Sequence, residues 1–251
     1  MTVYFIGAGP GAADLITVRG HRLLSSCPVC LYAGSIMPDD LLRLCPPGTR
    51  VVDTGPLTLD QIIDEIAAAD AAGLDVARLH SGDPSLYSAL AEQCRRLDDR
   101  GVEYEIVPGV PAFAAAAAVL GRELTVPGVA QTVTLTRVAT LSTAMPPGED
   151  IETLSASGGT LVLHLAAAQV DGLVPQLLAG GYRAETPCAV VAFASWPQQV
   201  VLRCTLAELA DQMHAAEITR TAVIIVGDVL AAEGFADSYL YSSGRVRREH
   251  H

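Results

Sequence analysis

The chain reads as an α/β protein, and three features of the sequence say so. Short apolar runs of strand length alternate with segments of helical periodicity. Loops rich in glycine and proline follow those runs, as at Gly7 to Gly11, Gly82 to Pro84 and Pro108 to Pro111. Around Leu124 to Ala130 the helical rhythm stops and a second series of elements begins, which predicts domains over 1–125 and 126–230 and a tail over 231–251. With 251 residues, 50% of them hydrophobic, one large core or two small ones can be buried.

Val3-Tyr4-Phe5-Ile6 is a buried strand that breaks into Gly7-Ala8-Gly9-Pro10-Gly11, a turn in which backbone can approach a ligand with no Cβ in the way. Thr17 or Asp14 can cap the helix that runs through Leu23 and Leu24. Strand, glycine turn and helix N-terminus suit a nucleotide-like group, although the same turn also serves packing alone. Two details narrow the ligand. Pro10 lacks the N–H that a pyrophosphate cradle needs, and the second strand, Val29 to Tyr32, ends in Ala33-Gly34-Ser35 with no acid to hold a ribose. A dinucleotide-dependent dehydrogenase is disfavoured, and a ligand that needs no grip on phosphate is favoured.

A helix over Asp39 to Leu44 and a short strand over Thr49 to Asp53 follow. From Thr58 to Ala71 Ile62, Ile63, Ile66 and Ala67 fall on one helical face, with Asp60, Asp64 and Glu65 opposite. The next strand, Leu74 to Leu79, ends in His80-Ser81-Gly82-Asp83-Pro84, where Asp83 can accept hydrogen bonds from a ligand or simply cap a helix that begins at Pro84. Two glycine loops after two strands of one sheet converge on one edge, which favours the ligand. A helix to Leu97, a strand over Glu103 to Val107 and an alanine-rich helix over Ala112 to Leu120 complete this half. The small side chains of that last helix mean either tight packing or room for a flat ligand.

The second half is predicted to hold a strand over Thr132 to Thr136, a loop to about Ser157, a strand over Thr160 to Leu165 and a helix over Ala167 to Leu178. A hairpin pairs Ala189 to Phe193 with Val200 to Cys204, and the only tryptophan, Trp196, is expected exposed at its tip, as a lid or as a cap on the core. A helix over Leu206 to His214 and a strand over Ala222 to Val226 follow, and everything after Asp228 reads as tail, with Arg245, Arg247 and Arg248 near its end.

Composition excludes several chemistries. All 16 basic residues are arginine, so pyridoxal-phosphate enzymes, Schiff-base aldolases and Walker-type NTPases lack their lysine. The histidines form no His-x-x-x-His pair, and no Gly-x-Ser-x-Gly occurs. A net charge of −12 disfavours nucleic acid and anionic membranes as partners. No apolar run reaches membrane-span length and the N-terminus shows no signal pattern, so the chain is expected in the cytoplasm. The six cysteines read as small hydrophobes, and Cys27-Pro28-Val29-Cys30 has no second pair, so no metal is expected.

Taken together, Gly7-Ala8-Gly9-Pro10-Gly11 with Asp14-Leu15-Ile16-Thr17, Ser81-Gly82-Asp83-Pro84, Val107-Pro108-Gly109, Leu135-Thr136-Arg137 and Thr186-Pro187 resemble the tetrapyrrole, or class III, S-adenosylmethionine-dependent methyltransferases from Val3 to about Val229. Within that family, Leu31 to Ser35, Gln131 to Arg137 and Ala194 to Pro197 are most similar to the subfamily that methylates C11 of precorrin-4 in cobalamin biosynthesis. The resemblance implies two α/β domains, each an open mixed sheet flanked by helices, with the active cleft between them, in a homodimer. It implies that Pro10, Ser81, Gly82, Asp83, Leu86, Pro111 and Ala112 line the cofactor site, with Leu165 and Ala194 reaching it from the C-terminal domain. Ser81-Gly82-Asp83 departs from the Gly-Gly-Asp of related uroporphyrinogen methyltransferases but keeps the glycine and the acid.

The implied chemistry agrees with the loop. S-adenosylmethionine has no phosphate, its methyl is already activated, and the enzyme chiefly aligns donor and acceptor at about 3–3.5 Å, leaving S-adenosylhomocysteine. No nucleophilic side chain is required. Tyr32, Arg137 and Trp196 are the positioning candidates, Trp196 by stacking on the macrocycle and Arg137 by gripping one of its carboxylates. Arg19, Arg22, Arg43, Arg50 and Arg122 are further carboxylate partners or plain surface charges. The rival expectations are another ring position, an rRNA or protein methyltransferase of the same fold, and a non-enzymatic nucleotide binder.

Overall fold

The computed structural model describes residues 1–34, 37–139 and 143–235; Ser35 and the tail beyond 235, with Arg245, Arg247 and Arg248, lie outside the described residues. The chain forms two compact units: Met1–Ala115 together with Phe193–Gln199, and Ala116–Ala192 together with the chain from Val200.

In the first unit, strands β1 (Thr2–Gly7), β2 (Val29–Tyr32), β3 (Arg50–Asp53), β4 (Val76–His80) and β5 (Glu103–Val107) form one sheet in the order β3-β2-β4-β1-β5. Each of the four pairings is parallel. Parallel neighbours require crossovers, and helices α1 (Val18–Leu24), α2 (Asp39–Leu42), α3 (Leu59–Ala71) and α4 (Leu90–Asp98) provide them. Side chains alternate between the two faces. Val3, Phe5, Val29, Leu31 and Val76 pack with Ile62, Ile63 and Ile66 of α3 and Leu97 of α4, while Ile6, Cys30, Ala77 and Leu79 pack with Leu24 of α1 and Leu41 of α2. Ile63 and Ile66 are fully buried, each contributing about 1.5–3 kcal/mol of apolar transfer. Thr58 and Gln61 form a reciprocal capping box that fixes where α3 starts.

Helix α5 (Ala112–Leu120) leads into the second unit. There β6 (Val133–Arg137), α6 (Ile151–Ser155), β7 (Thr160–His164), α7 (Val170–Ala179), β8 (Pro187–Ala192), β9 (Val200–Thr205), α8 (Leu209–Ala215) and β10 (Ala222–Val226) follow in order. The sheet order is β6-β7-β10-β8-β9; β6 and β7 pair in parallel and the other three pairings are antiparallel. The expected mixed character is thus met in this sheet, whereas the first is parallel because each of its connections returns through a crossover.

Four local expectations change. Helix α6 falls where a loop to Ser157 is expected: Asp150 caps it by accepting the Thr153 N–H at 2.8 Å, but five residues are too short to show periodicity. No helix begins at Pro84; α4 starts at Leu90. Thr17, not Asp14, caps α1, accepting from Gly20 N at 3.0 Å. Val229 and Leu230, expected in the tail, are buried. Among the described residues no helix is long and apolar enough to cross a membrane.

Alternation along β4 turns Arg78 and His80 into the apolar layer, and both are buried. Burial, with the Arg78 charge second, pushes the His80 imidazole down from 6.5 to about 3. The unfolded chain therefore binds a proton below about pH 6.5 that the folded chain refuses until about 3, so this contribution to stability is fully present above pH 6.5 and is lost as pH falls toward 3. The expected slope is up to about 1.4 kcal/mol per pH unit in that window. Urea midpoints should fall less steeply with acidification in His80→Gln than in the parent chain, and parallel curves would refute the assignment.

Candidate active site

Strand register brings three loops to one place. Gly7 of β1 lies beside His80 of β4, and Ile6 lies beside Val107 of β5, so the three strands end level and their loops leave the same sheet edge. The loops are then joined backbone to backbone. Ala8 N donates to the His80 carbonyl at 2.8 Å, and Gly9 and Gly82 exchange N–H···O bonds of 3.2 and 2.8 Å. Gly9 (φ +80°) and Gly82 (φ +68°) take a conformation that disfavours a Cβ, and a Cβ on Gly109 would lie 2.2 Å from the Gly82 carbonyl oxygen. Gly82 also stands against Pro111 and Ala112, whose backbone atoms would lie 3.6 Å from its Cβ. Four of the residues expected at the cofactor site, Gly82, Asp83, Pro111 and Ala112, are thereby brought together around Gly7, Gly9 and Gly109.

Asp83 is the side chain that holds this arrangement. One carboxylate oxygen accepts the Gly109 N–H at 2.8 Å; the other accepts the Ser85 N–H at 2.8 Å and the Ser85 hydroxyl. Partial burial pushes its carboxyl up, but the bonds from Ser85 and Gly109 outweigh that and hold the pKa below the usual carboxylate value. The alternative reading of Asp83 as a helix cap gives way to a clamp between two loops. Leu86 N donates to the Asp83 carbonyl at 3.3 Å, and Ser81 is half-buried beside it.

The segment Phe193–Gln199 belongs to the same unit and lies on the first loop. Trp196 Nε1 donates to the Pro10 carbonyl at 2.9 Å, and Ser195 Oγ accepts the Ala12 N–H at 2.9 Å. A Cβ on Gly11 would sit 2.1 Å from the indole ring. Trp196 is therefore half-buried, not exposed, because its ring occupies the space glycine leaves. Ala194 is buried beside it. The N–H groups of Ala8, Gly9 and Ala12 all have protein acceptors, Pro10 has none to offer, and α1 begins only at Val18. That makes this loop a poor phosphate nest.

Strained backbone occurs in these loops: Tyr87, Ala89, Phe193 and Ser195 hold positive φ of 50° to 67° without being glycine. In the second unit Leu165, Glu217 and Thr221 do the same at 52° to 54°, and Leu165 is also 61% exposed, an unusual combination for a large apolar side chain directly after a strand. In that unit Arg137 turns its guanidinium onto its own loop, donating to the carbonyls of Val138, Thr143 and Ala144 at 3.0 to 3.3 Å. Tyr32 ends β2, with its phenol pushed up by burial and by the charges of Asp53 and Asp39, and so stays a neutral donor. Asp53 accepts the N–H groups of Gly34 and Gly55, both at 2.8 Å, which fixes the chain just past Tyr32.

The remaining arginines divide. Arg19, Arg43 and Arg50 form exposed ion pairs with Glu105, Asp40 and Glu65, Arg122 donates to the Ala232 carbonyl, and Arg22 is exposed. Sequence reasoning missed the contact of Gly7 and Gly109, the bond of Ser195 to Ala12, and Arg78. A charged residue inside an otherwise apolar strand was the available signal for the last of these.

Gly109→Ala should destabilise by about 3 kcal/mol or more, since backbone must move to admit the methyl. Gly172→Ala, inside α7 with nothing within 4 Å of the new Cβ, should stabilise by about 0.5–1 kcal/mol. Thermal melts of the two variants side by side check this, and similar shifts would refute the close approach at Gly109.

Known proteins resemble this chain in sequence and in fold. Residues 2–210 match the tetrapyrrole (corrin/porphyrin) methylases. The chain is 78% identical to a precorrin-4 C(11)-methyltransferase of Mycobacterium tuberculosis, over 99% of each chain. Among solved structures, a cobalt precorrin-4 methyltransferase superposes with a TM-score of 0.89 at 37% identity, covering 91% of this chain and 95% of that one. A uroporphyrin-III C-methyltransferase of Thermus thermophilus, complexed with S-adenosyl homocysteine, superposes with a TM-score of 0.78 at 29% identity, covering 92% and 93%. With its glycine-joined loops and full-length likeness, the chain belongs to the tetrapyrrole methylase family and is an S-adenosylmethionine-dependent C-methyltransferase.

Proposed function

We propose that this enzyme transfers the methyl group of S-adenosylmethionine to C11 of precorrin-4, giving precorrin-5 on the route to cobalamin. The observation that carries the reading is the 78% identity across nearly the whole of both chains to a precorrin-4 C(11)-methyltransferase. Relatives named for the cobalt-containing substrate stand lower, at 40% and 39%, which favours the metal-free ring.

The first loop fits the donor, because the N–H groups of Ala8, Gly9 and Ala12 are already engaged, Pro10 has none, and a ligand without phosphates asks little of what is left. The bound donor supplies an activated methyl on a sulfonium. The chain's part is to bind, orient and exclude water. Pro10, Ser81, Gly82, Asp83, Leu86, Pro111, Ala112 and Ala194 are proposed to line the donor site, with Leu165 as the contact from the second unit. Asp83 acts mainly by holding Gly109 and Ser85 in register, with one acceptor position left for a ligand donor. Tyr32 and the part of Trp196 open to solvent are proposed to meet the macrocycle, and Arg137 to set its rotation through the N–H groups not engaged by its own loop. The domain division at 125/126, a homodimeric state and a cytoplasmic location complete the reading.

Asp83→Ala should weaken S-adenosylhomocysteine binding by about 1.5–3 kcal/mol, measured by calorimetry. Unchanged affinity would remove Asp83 from the site. The reaction itself is tested with a 13C-methyl donor: the label should appear on C11 of metal-free precorrin-4, and a label on another ring carbon overturns the assignment. In the same assay Arg137→Ala should raise the KM for the tetrapyrrole more than it weakens donor binding, and the reverse order would remove Arg137 from the substrate site.

A further inference from the structure

Arg78 lies in the apolar layer between the first sheet and its helices, 6% exposed, and among the described residues it forms no ion pair with a carboxylate. A buried guanidinium with no carboxylate beside it is costly, and an apolar side chain of its volume would be cheaper there. Its hydrogen bonds suggest what maintains it. Nη1 donates to Thr54 Oγ1 at 2.9 Å, and that hydroxyl donates onward to the Tyr32 carbonyl at 2.9 Å. Nε donates to Gln93 Oε1 at 3.1 Å, and the Gln93 amide donates onward to the Ala89 carbonyl at 3.0 Å. Thr54 and Gln93 are themselves buried, at 4% and 2% exposure.

Both branches end at residues of the proposed site. Tyr32, the last residue of β2, is itself proposed to meet the macrocycle. Ala89, held at φ 53° with no side-chain cap, ends the loop that opens with Ser81-Gly82-Asp83. The guanidinium is a rigid planar fork, so the direction of one branch constrains the other. We propose that Arg78 is a positioning residue that sets the substrate-side end of β2, at Tyr32, and the donor-side loop after β4 in fixed relation through Thr54 and Gln93. Burial pulls its pKa down only to about 10, so it stays charged at neutral pH. The inference rests on the site reading above, and the test separates the two.

Single-branch variants give the readout. Gln93→Leu should weaken S-adenosylhomocysteine binding by about fivefold and leave the tetrapyrrole KM within about twofold; Thr54→Val should do the opposite. Arg78→Met should impair both, while Arg78→Lys, which keeps the charge but not the fork, should restore stability without restoring both constants. Lowered melting temperatures with both constants within about twofold of the parent in every variant would make the network merely structural and overturn the proposal. So would equal shifts of both constants from either single branch. If Asp83→Ala weakens donor binding and Gln93→Leu does not, the relay alone fails. If Asp83→Ala has no effect, the site reading fails and the relay with it.

Discussion

The first unit depends on three backbones meeting with no side chain between them. Gly7, Gly82 and Gly109 approach so closely that a methyl on the first or the last would overlap neighbouring backbone, and the paired bonds of Gly9 and Gly82 lock the approach. Parallel strands ending level are what make that meeting possible. The glycines convert the end of a sheet from a row of side chains into a polar rim of peptide groups, a surface that can follow a ligand's outline at main-chain distance. Asp83 completes the rim by tying down the Gly109 N–H, which the exchange between Gly9 and Gly82 does not reach.

Such a rim has to be held from behind, and the supports differ in kind. Below it, a charged side chain sits in an apolar layer and reaches two loop carbonyls through neutral intermediaries. Above it, the Ser195–Trp196 tip bonds to both sides of Gly11. Non-glycine residues at positive φ occur at Tyr87, Ala89, Phe193 and Ser195, where these supports meet the loops. Local conformational strain there is offset by burial and hydrogen bonding elsewhere in the unit.

The elements of the fold were legible wherever periodicity was strong. The strands at Val29–Tyr32, Glu103–Val107 and Ala222–Val226 and the helix Ala112–Leu120 fall at the residues their apolar patterns mark. The glycine loops were legible too, because only glycine explains itself by absence. What could not be read was partnership across long separations. Asp83 followed by proline looks like a helix cap, since that is the local habit of the pair, and nothing nearby in sequence reveals Gly109 as its acceptor's partner. Trp196 looks exposed at a hairpin tip because the space that receives it is made by Gly11. Arg78 interrupts a strand without announcing that Thr54 and Gln93 wait on either side.

The bond between Trp196 and Pro10 joins positions 186 residues apart. Synthesis proceeds from the N-terminus, so the glycine loop emerges first and remains without this partner until most of the polypeptide has been made. The entropy of closing so long a segment grows only slowly with its length, and helices and strands formed in between shorten the effective span. The first loop therefore gains its bonds to Ser195 and Trp196 only after the chain has been made through those residues.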